Sequence, residues 1–303
     1  MKSARSGLVW LGGEIVPVGE ARVSVVDHGL LYGDGIFEGM RVYGGRVFRL
    51  DRHLARLAAG ARALSLALPG GLAAIRAIVL ETARAYGEAE AYMRLVVTRG
   101  EGALGVDPTS CPSPRVFCLV DRVAIYPEEK RRSGVDLVTA SVRRPAPDVL
   151  DPRVKSLNYL NNALAKGEAR RHGADDALLL NAAGRVAEAA VANVFVVREG
   201  TLTTPPGSDG ALEGINRATA LELAGELGIP TAVRSLGRFD LFAAEEVFLS
   251  GSGVGGFVPV RSLDGERVGS EGPGPLLVRL CRAFESAKPR LGVPFDTPAG
   301  PSR

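Results

Sequence analysis

Strands and helices follow one another along this chain without a steady βαβ rhythm, and that order restricts its fold more than any other feature. Short apolar runs bounded by Gly, Pro and Asp read as strands and hairpins. Leu8–Trp10 and Glu14–Val16 flank Gly12-Gly13, and Ile36–Tyr43 and Arg46–Arg49 flank Gly44-Gly45. Val23–Val26 reads as a further β run, and Asp27–Gly35 as a glycine-rich turn region. Asp51 reads as the N-cap of a helix with Leu54, Leu57, Ala58, Ala61 and Leu64 on one face. A helix from about Leu72 to Tyr86 and strands at Tyr92–Arg99 and Val116–Val120 complete a smaller N-terminal α/β domain, residues 1–124. The polar run 125–134 reads as an interdomain linker.

A larger C-terminal domain, 135–303, follows. It opens on a strand, Val135–Ser141. A helix then runs from the Lys155 junction to His172, with Leu157, Leu160 and Leu164 on its buried side. Strands are expected at Asp176–Leu180, Arg185–Ala190, Val194–Arg198, Leu202–Thr204 and Glu246–Ser250, and a helix at Ile215–Leu227. Phe257–Arg261 and Glu266–Gly269 make a hairpin, Leu276–Ala287 is the last helix, and Gly292–Arg303 shows no pattern. Two α+β domains fit this order better than one doubly wound sheet.

Charge and cysteine usage narrow the partners. The 303 residues carry 37 basic and 34 acidic side chains, a net charge of +3. That balance argues against nucleic acid or an anionic membrane as the main partner. Cys111, Cys118 and Cys281 show no CxxC spacing, so no metal or disulfide is expected and a cytoplasmic location is the default. No run approaches the roughly 18 apolar residues of a transmembrane helix.

The candidate chemistry begins at Lys155, in Arg153-Val154-Lys155-Ser156-Leu157-Asn158-Tyr159, a stretch that begins extended after a Pro-broken approach and ends as the first turn of a helix, with the lysine at the junction. The chain uses arginine almost everywhere and has only Lys2, Lys130, Lys155, Lys166 and Lys288 as lysines. Lysine can lose its proton and form an imine; arginine cannot. A helix N-terminus would disfavour its ammonium. The plainer reading is a surface lysine whose stem covers apolar side chains. Glu188 sits in a run of small apolar residues, so it is either on an exposed strand face or buried with a cationic partner, an arginine or a protonated pyridine. Gly214-Ile215-Asn216 opens a helix whose N–H groups could hold a phosphate, and the turn Gly251–Gly256 could add more. That turn matches the dinucleotide fingerprint formally but leads into a hairpin, which rules out a Rossmann site. Arg56 alone reads as a solvated helix face, and His28 as a structural residue beside Asp27.

Together these stretches resemble the class IV, fold-type IV pyridoxal-phosphate aminotransferases, whose fold is the two-domain, D-amino-acid-aminotransferase-like one. The resemblance runs from about Trp10 to Phe284. It rests on His28–Arg41, His53-Leu54-Ala55-Arg56-Leu57, Tyr92-Met93-Arg94, Lys155–Asn162, Glu188 with Asn193-Val194-Phe195, and Leu212–Arg217. Phe37–Arg41 and the loop from Arg99 to Pro108 are most similar to branched-chain-amino-acid aminotransferases.

The resemblance implies that Lys155 holds pyridoxal 5′-phosphate as a Schiff base and shuttles the substrate's α-proton. Tyr159 would meet the ring's phenolic oxygen, and Glu188 the ring nitrogen. Arg56 would bind the phosphate with Gly214, Ile215, Asn216, Gly251 and Ser252. Tyr32, Phe37, Arg41, Tyr92, Arg94 and Gly253 would line the substrate side. The family places its site between the two domains and completes it in a homodimer. Its substrates are amino and 2-oxo acids, here L-Leu, L-Ile or L-Val with 2-oxoglutarate.

Three positions depart from the family pattern. Asn216 replaces Thr, Ala189 replaces Gly, and Ser250–Gly256 is a longer, glycine-rich version of the usual turn. D-amino-acid aminotransferases carry an Arg-x-His pair that is absent after Arg99, and 4-amino-4-deoxychorismate lyases a Thr-containing segment in place of Phe37–Gly39. The 250–256 turn leaves an (R)-amine aminotransferase open. The intact Lys155, Tyr159, Glu188 and Arg56 argue against a non-catalytic family member.

Overall fold

The computed structural model describes residues 7–269 and 272–295, which gather into two compact units. One holds the described residues up to Val123, the short run Val154–Asn158 and the chain from Lys288; the other holds Ala124–Arg153 and Tyr159–Ala287.

The first unit contains β1 (Leu8–Leu11), β2 (Glu14–Pro17), α1 (His28–Leu31), β3 (Gly35–Tyr43), β4 (Arg46–Phe48), α2 (Leu50–Ala63), α3 (Gly71–Tyr86), β5 (Ala91–Thr98) and β6 (Arg115–Asp121). The second contains α4 (Glu128–Ser133), β7 (Val135–Thr139), α5 (Pro147–Leu150), α6 (Leu160–Arg171), β8 (Asp176–Leu180), β9 (Val186–Ala189), β10 (Asn193–Arg198), β11 (Thr201–Thr204), α7 (Ile215–Glu226), β12 (Thr231–Val233), α8 (Arg238–Phe242), β13 (Glu246–Gly251), β14 (Gly256–Leu263) and β15 (Glu266–Arg267). Helix α9 (Pro275–Leu291) and strand β16 (Gly292–Pro294) close the described chain.

The first unit is built on a seven-stranded sheet, order β16-β4-β3-β5-β6-β1-β2. Along β3, Ile36, Met40 and Val42 point into a core shared with Leu54 and Leu57 of α2, Ile75 and Val79 of α3, and Met93, Leu95 and Val97 of β5. The period of two on the strands and the 3–4 spacing on the helices make this one apolar layer between sheet and helices. Asp51 is not the N-cap of α2. Arg49, in the left-handed region at φ 52°, holds that place, and Asp51 stands in the first turn, where a negative charge still favours the helix dipole. Val23–Val26 forms no strand, and Val23 and Val25 are exposed. The expected turn region contains α1, capped by Asp27, whose Oδ1 accepts from Gly29 N at 2.7 Å.

The second unit is built on a nine-stranded mixed sheet, order β12-β11-β10-β13-β14-β7-β8-β9, with β15 paired to β14. Strands β14, β7 and β8 run parallel, as do β11 and β12. The expected buried side of α6 is inverted. Leu160 and Leu164 are exposed, while Asn162, Ala165 and Ala169 are buried. Ala165 and Ala169 meet Ala177 and Leu179 of β8 in one apolar cluster, so small side chains let the helix lie close to the sheet. The segment expected to lack pattern begins as β16, antiparallel to β4; residues 296–303 lie outside the described ones. Among the described residues no helix is long and apolar enough to cross a membrane.

Candidate active site

In the first unit the candidate site is organised on β3. Lys155 does not open a helix: α6 begins five residues later, at Leu160, with Tyr159 as its N-cap. Lys155 lies instead on an extended segment laid along the start of β3. Phe37 N donates to Lys155 O at 3.0 Å, Leu157 N donates to Gly35 O at 2.9 Å, and Ile36 and Ser156 form an antiparallel bridge. The Lys155 Nζ stands 4.6 Å from the centroid of the Phe37 ring.

The face of β3 that carries Phe37 collects the expected substrate residues. Arg41 pairs with Tyr92, and Gly39 with Arg94, across β3 and β5. Directly opposed residues share a sheet face, so Phe37, Gly39, Arg41, Tyr92 and Arg94 line one face. Arg94 lies over Phe37 at 4.9 Å, and Arg41 over Tyr92 at 5.5 Å. Arg94 Nη2 donates to the Tyr92 hydroxyl at 3.2 Å. A Cβ at Gly39 would come within 2.3 Å of that hydroxyl, so glycine is what lets Tyr92 lie across the strand. Tyr32 caps the end of α1 and accepts from Gly105 N at 2.8 Å, tying the 100–108 loop to that helix.

On the core side of the same strand lies Glu38, fully buried. Arg56 of α2 grips it with two bonds, Nε to Oε1 at 2.8 Å and Nη2 to Oε2 at 2.7 Å. His53, one turn earlier on α2, meets Oε2 through Nδ1 at 2.7 Å. Burial alone would raise the Glu38 carboxyl; the Arg56 guanidinium and His53 outweigh it and hold the group at about 2, against 4.5 ordinarily. Burial pushes His53 below its ordinary value, although Glu38 pulls the other way. A neutral His53 must donate from Nδ1, because an ionised carboxylate only accepts.

In the second unit Glu188 projects from β9 into a fully hydrogen-bonded setting. Its Oε1 accepts from Arg144 Nη2 at 2.7 Å. Its Oε2 accepts from Asn193 Nδ2 and from Leu212 N, each at 3.0 Å. Arg144 is buried too, and donates to Gly210 O at 3.0 Å and to Asn162 Oδ1 at 2.8 Å. Of the two settings open to Glu188, the structure thus shows the buried one, paired with an arginine. Gly214 is the N-cap of α7, and a Cβ there would collide with Asn193 Oδ1 at 2.0 Å. Asn193 thereby joins the Glu188 cluster to the start of α7.

Ile215 and Asn216 form the first turn of α7. The Asn216 amide is buried, and neither its Nδ2 nor its Oδ1 has a hydrogen-bond partner. Such a group costs about 1–3 kcal/mol unmet. Beside the unpaired N–H groups of a helix N-terminus it suits a bound anion. The Ser250 hydroxyl is likewise buried and unpartnered. Strands β13 and β14 pair up to Gly251 and Gly256, leaving Ser252–Gly255 as the turn between them. Arg131 of α4 donates to Val254 O, and to Gly255 O at 3.1 Å. Residues 125–134 therefore support this turn.

Glu38, Arg144, Asn193 and Arg131 received no site role from the sequence. Asn193 was visible within a motif, and Glu38 within the β3 run. Arg144 and Arg131 carry no local signal, since their partners lie 44 and 123 residues away.

The family model for class IV aminotransferases matches residues 35–263, and the chain belongs to that family. A Methanocaldococcus jannaschii protein, provisionally named a branched-chain-amino-acid aminotransferase, is 41% identical over 94% of this chain and 98% of its own length. The Escherichia coli K12 branched-chain-amino-acid aminotransferase is 34% identical over 94% of both chains. The solved structure of an Escherichia coli branched-chain amino acid aminotransferase superimposes with a TM-score of 0.89 at 34% identity, covering 94% of this chain and 95% of that one. A second solved branched-chain amino acid aminotransferase, with pyridoxamine 5′-phosphate, gives a TM-score of 0.90 at 33% identity, covering 97% of this chain and all of that one.

Proposed function

We propose that this enzyme transfers the amino group of L-leucine, L-isoleucine or L-valine to 2-oxoglutarate, with pyridoxal 5′-phosphate as cofactor and as a homodimer. The observation that carries the reading is the Lys155 amine set against the Phe37 ring, on a strand whose Phe37, Arg41, Tyr92 and Arg94 share one face. A reactive amine beside an apolar wall suits a donor with an aliphatic side chain. The relatives described above are named branched-chain amino acid aminotransferases, which supports the donor class.

Several residues fit the cofactor. Arg56 and the N–H groups of Ile215 and Asn216 would hold the phosphate, with the Asn216 amide and the turn at Gly251 and Ser252 as further donors. Glu188, held in place by Arg144, would meet the ring nitrogen and Tyr159 the phenolic oxygen. When bound, the cofactor supplies an aldehyde and a ring that disperses the charge left as the α-proton departs. Lys155 Nζ takes that proton from the substrate's α-carbon and later returns one. Phe37 and Tyr92 hold the branched side chain and exclude water, and Tyr32 steadies the 100–108 loop.

The test is a donor panel: L-Leu, L-Ile, L-Val, L-Glu, D-Ala and an (R)-amine, each with 2-oxoglutarate or a branched 2-oxo acid as acceptor. The three branched L-amino acids should exceed D-Ala and the (R)-amine by about tenfold or more in kcat/KM, since a well-fitted apolar side chain is worth about 1–3 kcal/mol. A preference for D-Ala or the (R)-amine would replace this reading with one of the rivals on the same fold.

A second expectation arises at β3. Gly39→Ala should push the Tyr92 hydroxyl off its place and break its bond from Arg94. We expect kcat/KM for L-leucine to fall about tenfold or more, with stability changed by less than about 1 kcal/mol because the displaced group is a side-chain tip. Unchanged kinetics would take Tyr92 off the substrate side.

A further inference from the structure

We propose that Glu38 is a positioning residue: by gripping the Arg56 guanidinium along its Nε–Nη2 edge, it fixes the direction in which Arg56 presents itself to the cofactor phosphate. This rests on the reading of Arg56 as a phosphate ligand.

The placement of Glu38 is costly without such a role. Its neighbours on the core side of β3, Ile36, Met40 and Val42, are apolar and fully buried. A leucine or methionine there would continue the pattern, and a buried ion pair is seldom more stable than an apolar replacement of similar volume. The chain nevertheless keeps a carboxylate at this position and meets it from two sides. His53 and Arg56 lie three residues apart on α2, so one helix face delivers both. Both Glu38 oxygens receive a guanidinium donor, at 2.8 and 2.7 Å, and His53 Nδ1 holds Oε2 at 2.7 Å. The carboxylate therefore cannot rotate, and the planar guanidinium that forks onto it cannot either.

Glu38 also acts on Arg56 in a second and opposing way. Its negative charge offsets part of the guanidinium's attraction for an anion. Orientation and charge thus predict opposite signs when the Glu38 charge is removed. The two-point grip and the tether from His53 favour orientation as the larger effect, because a bidentate contact depends steeply on angle.

The test is cofactor binding by the full chain stripped of cofactor, followed by absorbance, with pyridoxal 5′-phosphate and with pyridoxal, which lacks the phosphate. In Glu38→Gln the affinity for pyridoxal 5′-phosphate should fall about tenfold or more, the scale of a lost charge-assisted bond, while that for pyridoxal stays within about twofold. In an Arg56→Ala background Glu38→Gln should add less than about twofold. Arg56→Lys keeps the charge but cannot fork, so it should reproduce the loss; it serves as the deciding variant if Glu38→Gln does not fold. Three results overturn the proposal while leaving Arg56 as a phosphate ligand: unchanged or tighter pyridoxal 5′-phosphate binding in Glu38→Gln, an equal loss for pyridoxal, or full affinity in Arg56→Lys. If Arg56→Ala leaves the preference for pyridoxal 5′-phosphate over pyridoxal intact, the phosphate reading of Arg56 itself fails and the proposal falls with it.

Discussion

Lys155→Ala should reduce amino transfer from L-leucine to 2-oxoglutarate by about 10⁴-fold or more, the upper range for removing a positioned acid–base group that also forms a covalent bond. Lys155→Arg should fare no better, since a guanidinium keeps its proton and forms no imine. Neither change should disturb the fold. The segment is held through its backbone, by Phe37 N to Lys155 O and by Leu157 N to Gly35 O, and both bonds survive replacement of the side chain. The measurement is the rate of branched 2-oxo acid release, paired with thermal unfolding to show that structure is retained. Borohydride reduction of the wild-type holoenzyme should leave a pyridoxyl group on the peptide containing Lys155 and on no other. A variant within tenfold of the wild-type rate, or a label elsewhere, would remove Lys155 from the reaction.

The setting of Lys155 also marks where sequence reading stops. Hairpins β1–β2 and β3–β4, helix α3 and the start of α7 follow from local signals: glycine turns between apolar runs, a helical period, and a glycine N-cap. The 153–162 stretch reads as extended at its start and helical at its end, and its first half does pair with β3, more than 100 residues earlier. Only the junction moves: the helix waits until Leu160 rather than opening at Lys155, because the 155–157 backbone is engaged by a distant strand that no local signal reveals. Helix α6 fails in a different way. Counting leucines points Leu160 and Leu164 inward, whereas the requirement for close approach to β8 selects Ala165 and Ala169. Each of Phe37, Arg41, Tyr92 and Arg94 was marked by the family resemblance, but their common face depends on the register between β3 and β5, which no single strand encodes. Glu38 is legible only in reverse. The alternation that buries Ile36, Met40 and Val42 buries it as well, so a charge on the apolar side of a strand is itself a signal that a partner must exist.

The same logic applies with more force to Glu188. Glu188→Gln removes the charge that faces Arg144, leaving a buried guanidinium opposite a neutral amide. Breaking one side of a buried ion pair typically costs about 3–5 kcal/mol. The retained bond from Leu212 N should keep this variant near the lower end. The rate should fall as well, by about 100-fold or more, because a neutral amide cannot hold the proton of a pyridinium. Stability and rate can be separated by a second substitution. Arg144→Met in the Glu188→Gln background removes the stranded charge, and denaturant unfolding should show part of the lost stability restored, the remainder being the cost of leaving Gly210 O and Asn162 Oδ1 without their donor. The rate should not return, since the carboxylate is still missing. Recovery of both would make Glu188 a structural partner of Arg144 alone. Recovery of stability without rate would assign the carboxylate to the chemistry and the arginine to holding it in place.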